Sequence, residues 1–165
     1  MNSTSDHLSA REDRAWHAFF ESQVLFWRRL GQQLQQDTGL SEPDFAILSA
    51  LEQAPERQLR AFELSGVTQF EKSRLHHHLN RMIGRGLLTR EPCPGSSRGT
   101  VIALSPEGLT AITAALPRRA AHIRQWLTDP LEEGQLDALT EISEAMLDRL
   151  RAADTPPAPP PTGCA

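Results

Sequence analysis

"EKSRLHHHLNRMIGRGLLTRE", residues 71–91, is the stretch whose reading decides the fold. Leu75, Leu79, Met82 and Ile83 recur at helical spacing, so they form the buried stripe of a helix from about Phe70 to Arg85. Gly86 supplies the stop, because glycine accepts the left-handed backbone that ends helices. The opposite side carries Phe70, Ser73, Arg74, His77 and Arg81. "LLTRE" then reads as a short strand, and "TVIALS" at 100–105 as its partner. Between them "PCPGSSRG" is rich in Pro, Gly and Ser, so the three parts predict a β-hairpin with a long loop.

Three adjacent histidines, His76, His77 and His78, raise the question of a metal. Successive helical residues point about 100° apart, so the three rings cannot converge on one ion. Helical metal pairs need a spacing of three or four. No metal site is expected; His77 points outward among hydrogen-bond donors, and His76 and His78 lie on the flanks.

Working outward, "SEPDF" opens a helix at Ser41, the N-cap, with Pro43 in its first turn and Phe45, Leu48 and Leu51 on its apolar side. A short helix through Leu59 and Leu64 follows, and a turn at Val67–Gln69 leads into the histidine helix. Before Gly39, the residues Trp16, Phe20, Val24, Trp27, Leu30 and Leu34 step by three or four along a helix from Arg11 to Gln36. After the hairpin, Ser105 and Pro106 start a helix to about Trp126, which Pro117 should kink. A last helix spans about Leu131 to Ala152, with Leu136, Leu139, Ile142, Met146 and Leu150 on one stripe. Residues 1–9 are polar and expected to be mobile, and the proline-rich segment 154–165 cannot bury a core and is expected to be disordered. The fold class is therefore mostly α with a small β-hairpin: a winged helix-turn-helix lobe plus a helical region suited to dimerisation.

Charge divides along the same lines. Between Arg57 and Thr100 eight basic residues face three acidic ones, a surplus of five inside a chain of net charge −4. The remainder therefore carries −9. A local cationic zone on a winged helix points to double-stranded DNA as the partner, with the second helix in the major groove and the hairpin near the backbone or minor groove. No nucleophile elbow or phosphate-binding glycine loop occurs, which argues against an enzyme, and no cofactor is expected. The first residues lack an apolar core, no apolar run would span a membrane, and the two cysteines, Cys93 and Cys164, suit a reducing compartment; the expected location is cytoplasmic.

"LRAFELSGVTQFEKSRLHHHLNRMIGRGLLTRE" and "SSRGTVIALSPEG" resemble the MarR family of bacterial transcriptional regulators, and the "EKSRL.HHL" form is similar to actinobacterial members. The resemblance covers about Trp16 to Leu150. It implies a homodimer, with residues 10–153 as the folded domain, dimerisation helices at about 10–38 and 106–152, and a DNA-binding lobe at about 41–105. It implies a repressor that binds a pseudo-palindromic operator and releases it when a small aromatic effector binds between the dimerisation region and the lobe. By position, the helix contacts fall on Ser73, Arg74 and His77 and the wing-tip contact on Arg98. Lys72 suits a phosphate, and Gln69 and Arg81 complete the expected DNA contacts. Ser96 stands where the family's wing usually carries aspartate, and Gln69 where its turn often has glycine. Those departures keep open a second reading, a dimer of the same fold with weakened DNA binding that acts through protein partners. Trp16, His17, Trp27 and Arg28 are candidate effector residues, although an aromatic stripe on a helix equally fits core or dimer interface, and His122 is a further candidate anchor for an anion. Cys93 beside Arg90 and Arg98 could favour a thiolate, but no resolving partner is visible.

Overall fold

A computed structural model describes residues 7–92 and 100–154. Cys93, Ser96 and Arg98, residues 1–6 of the N-terminus expected to be mobile, and the proline-rich tail from 155 lie outside the described residues.

Helices α1 (Ala10–Thr38) and α2 (Glu42–Gln53) are bounded by local chemistry. Ser9 and Glu12 form a reciprocal capping box at the start of α1, which satisfies two otherwise unpaired N–H groups. Gly39 closes α1 in the left-handed conformation, φ 71°, with its N–H on the Gln35 carbonyl. Ser41 and Asp44 repeat the capping box at the start of α2. Strand β1 (Gln58–Leu59) follows a short 3-10 turn, then α3 (Ala61–Thr68) and α4 (Lys72–Gly84). Strands β2 (Leu88–Pro92) and β3 (Thr100–Leu104) pair antiparallel with Arg90 opposite Ile102. Helix α5 (Pro106–Ile123) runs into a π-helical turn at Arg124–Thr128, and α6 (Glu133–Asp154) completes the described chain. Residues through Arg124 form one compact unit and those from Gln125 a second.

One expectation needs correction. Leu59 belongs to a strand, not to a short helix: Gln58 and Leu59 pair with Ala103 and Ile102, so the hairpin is part of a three-stranded sheet in the order β1-β3-β2. Pro117 lies inside α5, which continues past it to Ile123.

The core of the first unit gathers Ile47, Leu48 and Leu51 from α2, Leu64 from α3, Leu75, Leu79 and Met82 from α4, and Ile112 from α5. Burying a side chain of this size is worth about 1.5–3 kcal/mol, so this cluster fixes α4 against the helices behind it. Ser105 joins the two ends of the lobe: its hydroxyl donates to the Gly86 carbonyl at 2.6 Å and accepts from the Gly108 N–H at 2.9 Å. A Cβ at Gly108 would stand 2.0 Å from the Leu87 carbonyl oxygen, so glycine is required for this approach.

Candidate nucleic-acid interface

Helix α4 buries Leu75, Leu79 and Met82 and exposes Lys72, Ser73, Arg74 and His77. Among the described residues no side chain caps its first turn, so its N–H groups are available to a ligand or to water. Arg74 rests over the Phe70 ring at 5.4 Å, which places a cation at the edge of the exposed face. The three histidines diverge. His76 meets the Asn80 side chain at 3.0 Å, His77 is exposed, and His78 is half-buried beside Phe70 with its Nδ1 unpartnered. Burial, reinforced by the Arg81 and Arg74 charges, holds the His78 pKa below the ordinary histidine value. Among the described residues no three potential ligands gather around a common point.

Two of the expected DNA-contact residues also have partners within the chain. Arg81, itself exposed, donates through Nη2 to the Asp44 carboxylate at 3.0 Å and to the Ser41 hydroxyl at 3.3 Å. Arg85 donates to the same carboxylate at 2.7 Å and to the Gly39 carbonyl at 3.1 Å. Asp44 is 1 % exposed, so this node ties the end of α4 to the junction of α1 and α2. Burial acts to raise the Asp44 pKa, but the Ser41 N–H, Arg81, the Ser41 hydroxyl and Arg85 outweigh it and bring it below the ordinary carboxylate range. Gln69 occupies the left-handed conformation, φ 56°, and its side chain folds back to the Gly66 carbonyl. It closes the α3–α4 turn where glycine would carry no steric cost.

The four candidate effector residues do not converge. Eleven residues separate Trp16 from Trp27, or roughly 16 Å along a helix. Trp16 stacks with Phe19 and Phe20, and His17 pairs with Asp13 at 3.4 Å. Arg28 is exposed. Trp27 alone borders a cavity of about 380 Å³, shared with Glu42, Phe45, Ala50, Thr68 and Arg119. Arg119 forks onto Glu42 at 2.5 and 2.9 Å and lies 5.9 Å from the Trp27 ring and 5.3 Å from that of Phe45. His122 is buried on Asp37 at 2.8 Å, a contact between α5 and α1. Sequence reasoning missed Glu42, Asp44, Arg85 and Arg119. Each shows its role only through a partner at least 37 positions away.

No described helix is long and apolar enough to cross a membrane. Three helices with a hairpin stacked after the third define a winged-helix protein. A family model described as the MarR family matches residues 38–99. Sco3205, a MarR family transcriptional regulator from Streptomyces coelicolor solved in complex with DNA, is 31% identical, with a TM-score of 0.81 over 90% of this chain and 93% of that one. AbsC, a MarR family regulator from the same organism, is 28% identical, with a TM-score of 0.81 over 90% and 99% of the two chains. PcaV, also from Streptomyces coelicolor, shares the fold at 20% identity, with a TM-score of 0.70 over 84% and 98%. A comparison with curated proteins returned no match. The chain belongs to the MarR family of transcriptional regulators.

Proposed function

We propose that this regulator binds double-stranded DNA as a homodimer, reads a pseudo-palindromic operator, and represses transcription until a small aromatic effector releases it. The observation that carries the DNA reading is the exposed face of α4, where Lys72, Ser73, Arg74 and His77 stand beside an uncapped helix N-terminus. Lys72 and the N-terminal amides suit phosphate; Arg74 suits a guanine edge. Arg98 remains the proposed wing contact by resemblance. The Sco3205 complex with DNA supports the same reading by similarity.

Dimerisation is assigned to α1, α5 and α6. On α1, Trp16, Phe20, Val24 and Trp27 are each about half exposed, more contiguous apolar surface than an isolated helix keeps in water. The effector is assigned to the cavity at Trp27, Phe45 and Arg119, which offers two aromatic faces and one guanidinium.

A mobility-shift titration against the DNA upstream of the protein's own gene, at several salt concentrations, tests this. A specific shift whose affinity falls linearly with salt on logarithmic axes is expected. Equal binding to cognate and random DNA would remove operator reading and favour action through protein partners.

A further inference from the structure

Arg90 on β2 and His76 on α4 are joined by one side chain. Arg90 Nη2 donates to Asn80 Oδ1 at 2.6 Å, and Asn80 Nδ2 meets His76 Nε2 at 3.0 Å. The direction of this chain is fixed by chemistry. A guanidinium has only donors, so the amide oxygen must face Arg90. The amide nitrogen, with its hydrogens, must then face His76, and His76 Nε2 has to accept. A ring whose Nε2 accepts carries its proton on Nδ1. Reversing the amide would set its NH2 against the Arg90 donors.

Position gives the chain its meaning. Helical rotation of 100° per residue puts Asn80 next to Ser73 and His77 on the face away from Leu75 and Leu79, with His76 on its flank. His76 is exposed, and it borders the groove of about 800 Å³ between α3 and α4 together with Lys72 and Ser73. Arg90 rises from the first wing strand.

We propose that Asn80 is a specificity-determining positioning residue: it tethers the wing strand to the recognition helix through Arg90 and commits His76 to present an Nδ1–H donor. Resting on the DNA-binding reading above, His76 then seeks an acceptor, a purine N7 or guanine O6 edge or a phosphate oxygen, and disfavours the cytosine amino group. Without Asn80 the ring is free to take either proton position, and the base preference it imposes is lost.

Three proteins separate the two arms of the tether: the parent, Asn80→Ala and Asn80→Asp. Asn80 is exposed, so neither variant disturbs the core. Asn80→Asp keeps an acceptor for Arg90 but offers His76 no hydrogen, so it should draw the proton to Nε2. Nitrogen-15 spectra of the histidine rings in the DNA-free protein, taken on the alkaline side of their titration, read the tautomer directly. The parent should hold the Nδ1–H form, Asn80→Ala should relax to a mixture, and Asn80→Asp should invert to Nε2–H. Titrated against cognate and random DNA, both variants should lose about tenfold in the cognate-to-random ratio, the size of one base contact. Ratios cancel the general charge effect of the new carboxylate. An Nε2–H ring in the parent, or a tautomer unchanged in Asn80→Ala, overturns the assignment. So does a ratio preserved in both variants. If the parent itself prefers no DNA sequence, the proposed function fails, while the ring spectra still decide the tether.

Discussion

The carboxylate of Asp44 receives the guanidinium of Arg85 at 2.7 Å, and through it the last turn of the recognition helix is held to the start of α2. Both arginines of the node keep part of their surface in water, so they stay hydrated while the buried carboxylate depends on them. Asp44→Asn should therefore cost about 2–4 kcal/mol, somewhat below the full penalty for breaking a buried pair. Because the folded-state pKa is lowered, the stabilising contribution is complete above the unfolded value of about 3.9 and is lost as pH falls through the folded value. Denaturant melts across acidic pH should show the parent losing stability below about pH 4 more steeply than Asp44→Asn. Parallel losses in the two proteins would rule out this node as the source.

A second expectation concerns the close approach at the lobe's edge. Gly108→Ala forces a methyl group into the Leu87 carbonyl, a backbone atom that cannot swing aside. The cost should be about 3 kcal/mol, seen as a lower unfolding midpoint. Gly66→Ala is the control: its Cβ would meet nothing within 4 Å inside α3, and it should stabilise by about 0.5–1 kcal/mol.

What the sequence made legible, and what it hid, divides by range. Ser41 with Pro43, Ser105 with Pro106, and Gly86 were readable because a cap is chemistry between near neighbours. The α4 stripe was readable because its period is local, and the exposed positions of Lys72, Ser73, Arg74 and His77 followed from it. Strand β1 was not, since two residues become a strand only by pairing with Ala103 and Ile102. The partner of Arg81 was hidden for a related reason. A helical wheel locates the face turned from the core, but not the neighbouring helix end that brings Asp44 there. Gln69 was visible as a departure from glycine, and the structure shows that it takes the left-handed backbone a glycine would.

Positioning and specifying contacts on α4 should separate by mutation. Arg74→Ala should cost about 1–3 kcal/mol on the cognate site and relax preference at one base pair per half-site. Lys72→Ala should weaken cognate and random DNA alike and lower the salt slope by about 1. Equal loss on both DNAs for Arg74→Ala would leave that arginine as a phosphate contact.

Dimerisation has a direct test in mass. Light scattering of the parent should give about twice the chain mass of 18.3 kDa. Phe20→Glu places a charge in the middle of the half-exposed α1 stripe, where pairing would have to desolvate it. That variant should fall to the single-chain mass at micromolar concentration, since Phe20 is not part of the lobe's core cluster. A parent already at the single-chain mass would end the homodimer reading.

Arg119 is where an effector should register. Its guanidinium lies between the rings of Trp27 and Phe45 and is already satisfied by Glu42, so an aromatic carboxylate entering the cavity competes with Glu42 for the same fork. Glu42 stands on the first turn of α2, two residues before Asp44, whose arginine partners hold the recognition helix. Releasing Glu42 would disturb the turn that carries Asp44 and so loosen the grip on α4. Benzoate should therefore dissociate the operator complex, with cyclohexanecarboxylate, which lacks the aromatic face, weaker. Arg119→Lys keeps the charge and loses the planar fork, so it should need about tenfold more benzoate for the same release. Its benzoate-free DNA affinity should stay close to that of the parent, since the lysine ammonium can still pair with Glu42 and hold the first turn of α2. Equal benzoate sensitivity in the two proteins would move the effector away from this cavity, and no response to either acid in the parent would remove aromatic acids as the effector class.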